Sequence, residues 1–189
     1  SSDLITNLVL DGVEKVLREL KPDMVLVHGD TTTTFAAALA AFYCKIPVGH
    51  VEAGLRTYDK YFPFPEEMNR KLTGCIADIH FSPTRNNFNN LVREGINPDN
   101  IFITGNTAID ALKSTVSDDY EFENELLKKI NYREKRIIAV TAHRRENLGQ
   151  PLRNICYALK EIKQKYDDIE IVYPVHLNPL VQGPVKDIL

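Results

Sequence analysis

Residues 25–34 read Val-Leu-Val-His-Gly-Asp-Thr-Thr-Thr-Thr, and residues 46–56 read Ile-Pro-Val-Gly-His-Val-Glu-Ala-Gly-Leu-Arg, with an alanine-rich run between them. An apolar strand runs into Asp30, a helix follows over Thr31–Tyr43, and a second apolar strand runs into Glu52. Short strand–helix–strand connections favour parallel strands and right-handed crossovers. Ligands of such sheets bind outside the carboxyl ends of the strands. Asp30 and Glu52 both fall at that edge, so the stretch predicts a site built on two carboxylates.

The same alternation extends outward. Apolar residues at Leu4, Ile5, Leu8, Val13, Val16, Leu17 and Leu20 have helical spacing, which Lys21-Pro22-Asp23 breaks. Residues 54–66 read as an ordered loop rich in aromatics and prolines, and Pro65-Glu66-Glu67 opens a helix to about Leu72. A strand over Ile76–Ser82, a helix over Thr84–Glu94 and a strand over Ile101–Ile103 follow. The segment 114–136 is strongly charged and lacks strand character, apart from a surface helix near Phe122–Ile130. Then come a strand over Ile137–Thr141, an amphipathic helix over Pro151–Tyr166, a strand over Ile169–Tyr173 and the start of another helix. The expectation is an α/β fold in two parts, residues 1–112 and 113–189. A chain that opens on a helix and stops within one also reads as part of a longer protein.

Composition narrows the function. The 189 residues are 43% hydrophobic and 26% charged with a net charge of −3, which is ordinary for a globular protein. Basic residues are dispersed except at Arg144-Arg145, so nucleic acid is not the expected partner. No apolar run approaches the ~20 residues that span a bilayer, and the start is polar and then amphipathic, unlike a signal peptide. Cys44, Cys75 and Cys156 have no paired spacing; they read as small core residues in a reduced cytoplasm.

Each candidate has a structural alternative. Asp30 could cap the helix after it. The four threonines tilt the reading toward a ligand, because they are poor helix formers and place hydroxyls at a helix N-terminus. Glu52 could pair with Arg56. Glu66 and Glu67 could simply complement a helix dipole. His143 follows a strand with two arginines beside it, which suits phosphate, or it could pair with Glu146. His176 sits at the equivalent edge one strand later. His28, His50 and His80 read as core or supporting residues. A zinc site from His28, Asp30, His50 and Glu52 has no supporting motif spacing, so no metal is expected.

Six motifs in one order carry a resemblance over nearly the whole chain. They are His-Gly-Asp-Thr-Thr-Thr-Thr at 28–34, Gly-His-Val-Glu-Ala-Gly-Leu-Arg-Thr at 49–57 and Pro-Glu-Glu-Met-Asn-Arg at 65–70. They continue with Phe-Ile-Thr-Gly-Asn-Thr-Ala-Ile-Asp at 102–110, His-Arg-Arg-Glu-Asn at 143–147 and Pro-Val-His-Leu-Asn-Pro at 174–179. Together they resemble the non-hydrolysing UDP-N-acetylglucosamine 2-epimerases of bacteria and archaea. The resemblance implies a glycosyltransferase-B-like architecture of two Rossmann-like domains with parallel sheets. It implies interconversion of UDP-N-acetylglucosamine and UDP-N-acetylmannosamine for cell-surface polysaccharide synthesis, with no metal or other cofactor. Asp30, Glu52 and Glu66 would be the catalytic carboxylates, and His143 would lie at the active site against the nucleotide. Arg144 and His176 match positions tied to a second, allosteric UDP-N-acetylglucosamine. The complete protein would be a homodimer. An opening strand with a basic loop and a later Ser-Gly-Gly segment have no match here, so these 189 residues alone are expected to be inactive. A hydrolysing relative and a non-catalytic nucleotide-sugar-binding module remain open as readings of the same residues. A glycosyltransferase is disfavoured, since acids around C2 need no acceptor.

Overall fold

A computed structural model describes residues 2–189, with Arg145 described by its backbone alone. The chain forms two compact units, one up to Asp118 and one over Asp119–Leu189.

In the first unit the order is α1 (Ser2–Leu20), β1 (Val25–His28), α2 (Thr32–Tyr43), β2 (Val48–Val51), α3 (Glu66–Ile76), β3 (Ile79–Ser82), α4 (Arg85–Arg93), β4 (Ile101–Ile103) and α5 (Thr107–Thr115). The four strands are parallel and lie in the order β1-β2-β3-β4. Each crossover therefore steps the sheet in the same direction. Right-handed crossovers of that kind put α2, α3 and α4 on one face. The core lies there: Leu17 of α1, Val27, the alanines Ala38, Ala40 and Ala41, and Val48. The alanines explain the run between the two strands, because small side chains let α2 lie close to the sheet. The opposite face carries Leu26 and Phe102, which are 63% and 49% exposed.

The second unit holds α6 (Glu125–Lys128), β5 (Arg136–Ala139), α7 (Gln150–Lys165), β6 (Ile169–Val172) and α8 (Pro179–Ile188), with β5 and β6 parallel. Its core is Leu152 and Cys156 of α7 against Val181, Val185 and Ile188 of α8. Tyr173 helps close it, donating its hydroxyl to Ala142 O at 2.7 Å. Both units are α/β with parallel strands, as the sequence predicts. No helix among the described residues is long and apolar enough to cross a membrane.

Several local expectations are corrected. The third strand starts at Ile79, not Ile76, because α3 continues through Thr73 and Gly74, which its packing buries. The surface helix near Phe122–Ile130 shrinks to Glu125–Lys128, capped by Asn124. Its flanking aromatics instead form a cluster in which Phe122 stacks on Tyr132. Asn106 caps a helix that the sequence reading left unassigned; it runs past residue 112 to Thr115, and the first unit ends at Asp118. Of the three cysteines only Cys156 is buried; Cys44 is half-buried and Cys75 is exposed.

Candidate functional site

The edge that gathers the acids is set by strand register. His28 pairs with Val51 in the β1–β2 ladder, and Gly29 N–H donates to Val51 O at 3.0 Å. Asp30 and Glu52 each follow that last rung, on strands roughly 4.8 Å apart. Gly29 turns with φ +74°, and a Cβ there would lie 3.5 Å from Glu52 Oε2. Glu52 itself has φ +67°. A left-handed backbone costs a residue with a Cβ about 1 kcal/mol or more, and such strain concentrates at functional sites. Gly54 two residues on has φ +88°, and any Cβ would fall 2.3 Å from Asn87 O of α4. The turn after Glu52 is therefore pressed against α4.

Asp30 does not cap α2. Thr31 does: its Oγ1 accepts the Thr34 N–H at 3.2 Å, and Thr34 Oγ1 donates to His28 O at 2.6 Å. Two of the four threonines thus tie the helix start to the end of β1. Thr32 and Thr33 make no side-chain bond among the described residues. The cap frees Asp30 for other work. Arg70 of α3 donates to Asp30 Oδ2 through Nε at 2.9 Å and Nη2 at 2.7 Å, and Asn69 Nδ2 donates to Asp30 O at 2.9 Å. Those bonds dock the first turns of α3 onto the Asp30 loop. Glu66, the first residue of α3, shares a helix face with Asn69 and Arg70 at spacings of three and four. The Glu66 side chain makes no hydrogen bond or ion pair among the described residues, whereas Glu67 is only 3% exposed and fully used. Its carboxylate accepts the N–H groups of Thr57 and Tyr58 and a bond from Arg70 Nη1. Burial alone would push the Glu67 carboxyl up, but those three donors together hold it below its ordinary value.

Glu52 does not pair with Arg56. Its Oε2 lies 3.6 Å from His28 Nε2, and His28 Nε2 is also 3.3 Å from Thr107 Oγ1 at the start of α5. Arg56 goes to Glu94 instead, at 2.8 Å. His50 and His80 are register partners on β2 and β3, both fully buried. His50 Nε2–H donates to Gly29 O at 2.8 Å, leaving Nδ1 without a partner. That ring props the turn that presents Asp30. Burial pushes the His50 pKa down to about 4, outweighing the Gly29 carbonyl that favours the charged form; burial pushes His80 down too.

The folded His50 pKa is depressed below its unfolded value near 6.5. The stability from keeping it neutral is complete above pH 6.5 and is lost as pH falls toward 4. The expected loss is about 3 kcal/mol over that window. Urea unfolding from pH 7 to pH 4 checks this: His50→Gln, which can still donate to Gly29 O, flattens the slope. An unchanged slope would assign the acid sensitivity to other groups.

In the second unit His143 does not turn to Glu146. Its ring stacks on His176, with centroids 5.1 Å apart and planes at 27°. Asn178 N–H donates to His176 Nδ1 at 3.0 Å, so the neutral ring carries its proton on Nε2. His143, Arg144 and His176 are all exposed at the carboxyl-end loops of β5 and β6. Among the described residues no group of three His, Cys, Asp or Glu side chains is arranged to hold a metal ion.

The structure thus brings Asp30, Glu52 and Glu66 to one edge of the first unit, and sets His143, Arg144 and His176 at one edge of the second. Sequence reasoning missed Asn69 and Arg70, although their spacing from Glu66 was the available signal.

Comparison with known proteins bears on this arrangement. The family profile described as UDP-N-acetylglucosamine 2-epimerase matches residues 1–189. A Bacillus subtilis UDP-N-acetylglucosamine 2-epimerase is 54% identical over 178 residues, covering 94% of this chain and 46% of the relative. The solved structure of S. aureus MnaA with UDP is 51% identical with a TM-score of 0.94, covering 100% of this chain and 51% of that one. The Neisseria meningitidis UDP-GlcNAc 2-epimerase bound to UDP-GlcNAc is 47% identical with a TM-score of 0.86, covering 100% of this chain and 52% of that one. The chain spans about half the length of the curated relatives it matches.

Proposed function

Since the chain belongs to the UDP-N-acetylglucosamine 2-epimerase family, we propose that the protein interconverts UDP-N-acetylglucosamine and UDP-N-acetylmannosamine by elimination and re-addition of UDP. The observation that carries this reading is the set of acids at one sheet edge: Asp30 and Glu52 after adjacent strand ends, with Glu66 on a helix docked to the Asp30 loop.

The C2 hydrogen of the sugar is not next to a carbonyl, so its direct removal is very hard. Elimination solves this. A carboxylate takes the C2 proton, the C1=C2 bond forms, and the C1–O bond breaks with its electrons leaving on UDP. The product is 2-acetamidoglucal. A carboxylic acid then delivers a proton to C2 from the opposite face as UDP oxygen returns to C1. The two acids finish with their protonation exchanged, and solvent resets them. This requires at least two carboxyl groups around the ring, and general acid–base groups of this kind contribute roughly 10²–10⁴-fold each. Asp30, Glu52 and Glu66 fill those roles. His143 supplies a donor to the departing diphosphate. Arg144 and His176 hold a second UDP-N-acetylglucosamine that regulates the reaction, and the working protein is a homodimer. On this reading the 189 residues alone do not turn over.

The test is isotopic. With the full-length protein in deuterated water, UDP-N-acetylglucosamine gains deuterium at C2 and UDP-N-acetylmannosamine appears. Absence of exchange would sink the reading. Release of free N-acetylmannosamine would instead identify a hydrolysing enzyme.

A further inference from the structure

Asp30 is held in an unusual way for a group that must move a proton. Its two carboxylate oxygens are not equivalent. Oδ2 receives two hydrogen bonds from one guanidinium, Arg70 Nε at 2.9 Å and Nη2 at 2.7 Å, while Oδ1 receives none among the described residues. The guanidinium is itself fixed from behind. Its third nitrogen, Nη1, donates to Glu67 Oε2 at 3.2 Å. Arg70 is 15% exposed and Glu67 only 3%. Glu67 is anchored in turn by the backbone N–H groups of Thr57 and Tyr58. A buried carboxylate, a planar guanidinium and a half-buried carboxylate thus form one chain of charge-assisted bonds, running from the aromatic loop to the turn after β1. Asn69, adjacent to Arg70, adds a bond to the Asp30 carbonyl, so side chain and backbone of Asp30 are held by the same turn of α3.

We propose that Arg70, oriented by Glu67, is a positioning residue that occupies Asp30 Oδ2 and leaves Oδ1 as the single oxygen free to exchange a proton with the sugar. This rests on reading Asp30 as one of the epimerase carboxylates. A carboxylate free to rotate presents either oxygen in many directions. One clamped at Oδ2 by a fork presents Oδ1 along one direction, and misplacement of a reacting group by about 1 Å costs roughly 100-fold. The guanidinium suits the task better than an ammonium, because a planar fork can bond two carboxylates at once with fixed geometry. The arrangement also couples the 57–58 segment to the site. The loop that follows Glu52 and the helix that begins at Glu66 are joined through the same buried carboxylate that orients Arg70.

The test is a double-mutant comparison in the full-length protein, read as C2 exchange and epimerisation rates. Arg70→Ala is expected to lower kcat about 100-fold, with KM for UDP-N-acetylglucosamine changed less than about 3-fold. In an Asp30→Asn background the same substitution is expected to cost less than about 3-fold, since Arg70 acts through Asp30. Arg70→Lys, which keeps the charge and fills most of the space, is expected to lower kcat about 10-fold by the same pattern and serves if the alanine variant does not fold. The proposal is overturned if kcat stays within 3-fold of wild type. It is equally overturned if the loss appears in KM, which would make Arg70 a substrate contact, or if it persists undiminished beside Asp30→Asn. Wild-type protein without any C2 exchange would remove the epimerase reading and this proposal with it. Wild-type exchange with rate-neutral Arg70 variants removes this proposal alone.

Discussion

Asp30→Asn is expected to lower kcat for C2 exchange about 10³-fold, the middle of the range for loss of a general acid or base. The substitution preserves shape. Its carboxamide oxygen can still accept a bond from Arg70, and the Asn69 bond to the residue-30 carbonyl does not involve the side chain at all. Arg70 also keeps Glu67 as a charged partner. The fold is therefore expected to survive with a change of only a few degrees in Tm, and KM to move little. What the amide cannot do at neutral pH is take up or release a proton. Rates of deuterium incorporation at C2, measured beside thermal melts, separate the two effects. Exchange retained near the wild-type rate would mean that Glu52 and Glu66 suffice for both faces of C2.

Glu94→Ala is expected to cost about 4 kcal/mol of stability. The Arg56 side chain is 1% exposed, and Glu94 accepts from its Nε and Nη2 at 2.8 Å each. The remaining Nη1 donates to Leu55 O at 2.7 Å. The guanidinium lies so close to α3 that a Cβ on Gly74 would come within 3.3 Å of Nη2. Removing the carboxylate leaves two N–H groups of a buried cation without their acceptor. Such a loss translates to a fall in Tm on the order of 10 °C for a unit of this size. Glu94→Gln keeps one acceptor and is expected to lose about half as much. A truncation that melts like the wild type would show that water reaches the guanidinium. Because Arg56 follows Glu52 by four residues, the same pair fixes the turn carrying that acid, so lost stability and lost activity should appear together.

The division between legible and hidden features follows sequence distance. The β1–α2–β2 unit was readable, because two apolar runs and an alanine-rich helix state their periods locally. So was the placement of Asp30 and Glu52, since a residue that ends a parallel strand lies at the carboxyl edge whatever else the chain does. The partners of those acids were not readable. Arg70 lies 40 residues beyond Asp30, and Glu94 lies 38 beyond Arg56. In sequence Arg56 is merely a nearby alternative partner for Glu52. In the fold it is turned away to α4, and His28 takes that place. The Asp30 cap failed for a similar reason: Asp and Thr both cap helices well, and only the bond from Thr34 to the end of β1 selects Thr31. Nothing in an acidic side chain announces a left-handed backbone, so the strain at Glu52 was invisible as well.

By itself the sequence determined the α/β class, the strand ends at which chemistry can sit, and the motif order that marks the family. All of these rest on local periodicity and on residue types in fixed spacing. Only the tertiary structure decided how the acids are held: which oxygen of Asp30 is bound, which of Glu66 and Glu67 is committed, and which histidines are buried. Those outcomes depend on burial and on charged partners brought together from distant segments. A hydrogen bond or an ion pair acts over about 3–4 Å of space and carries no trace of the residues between.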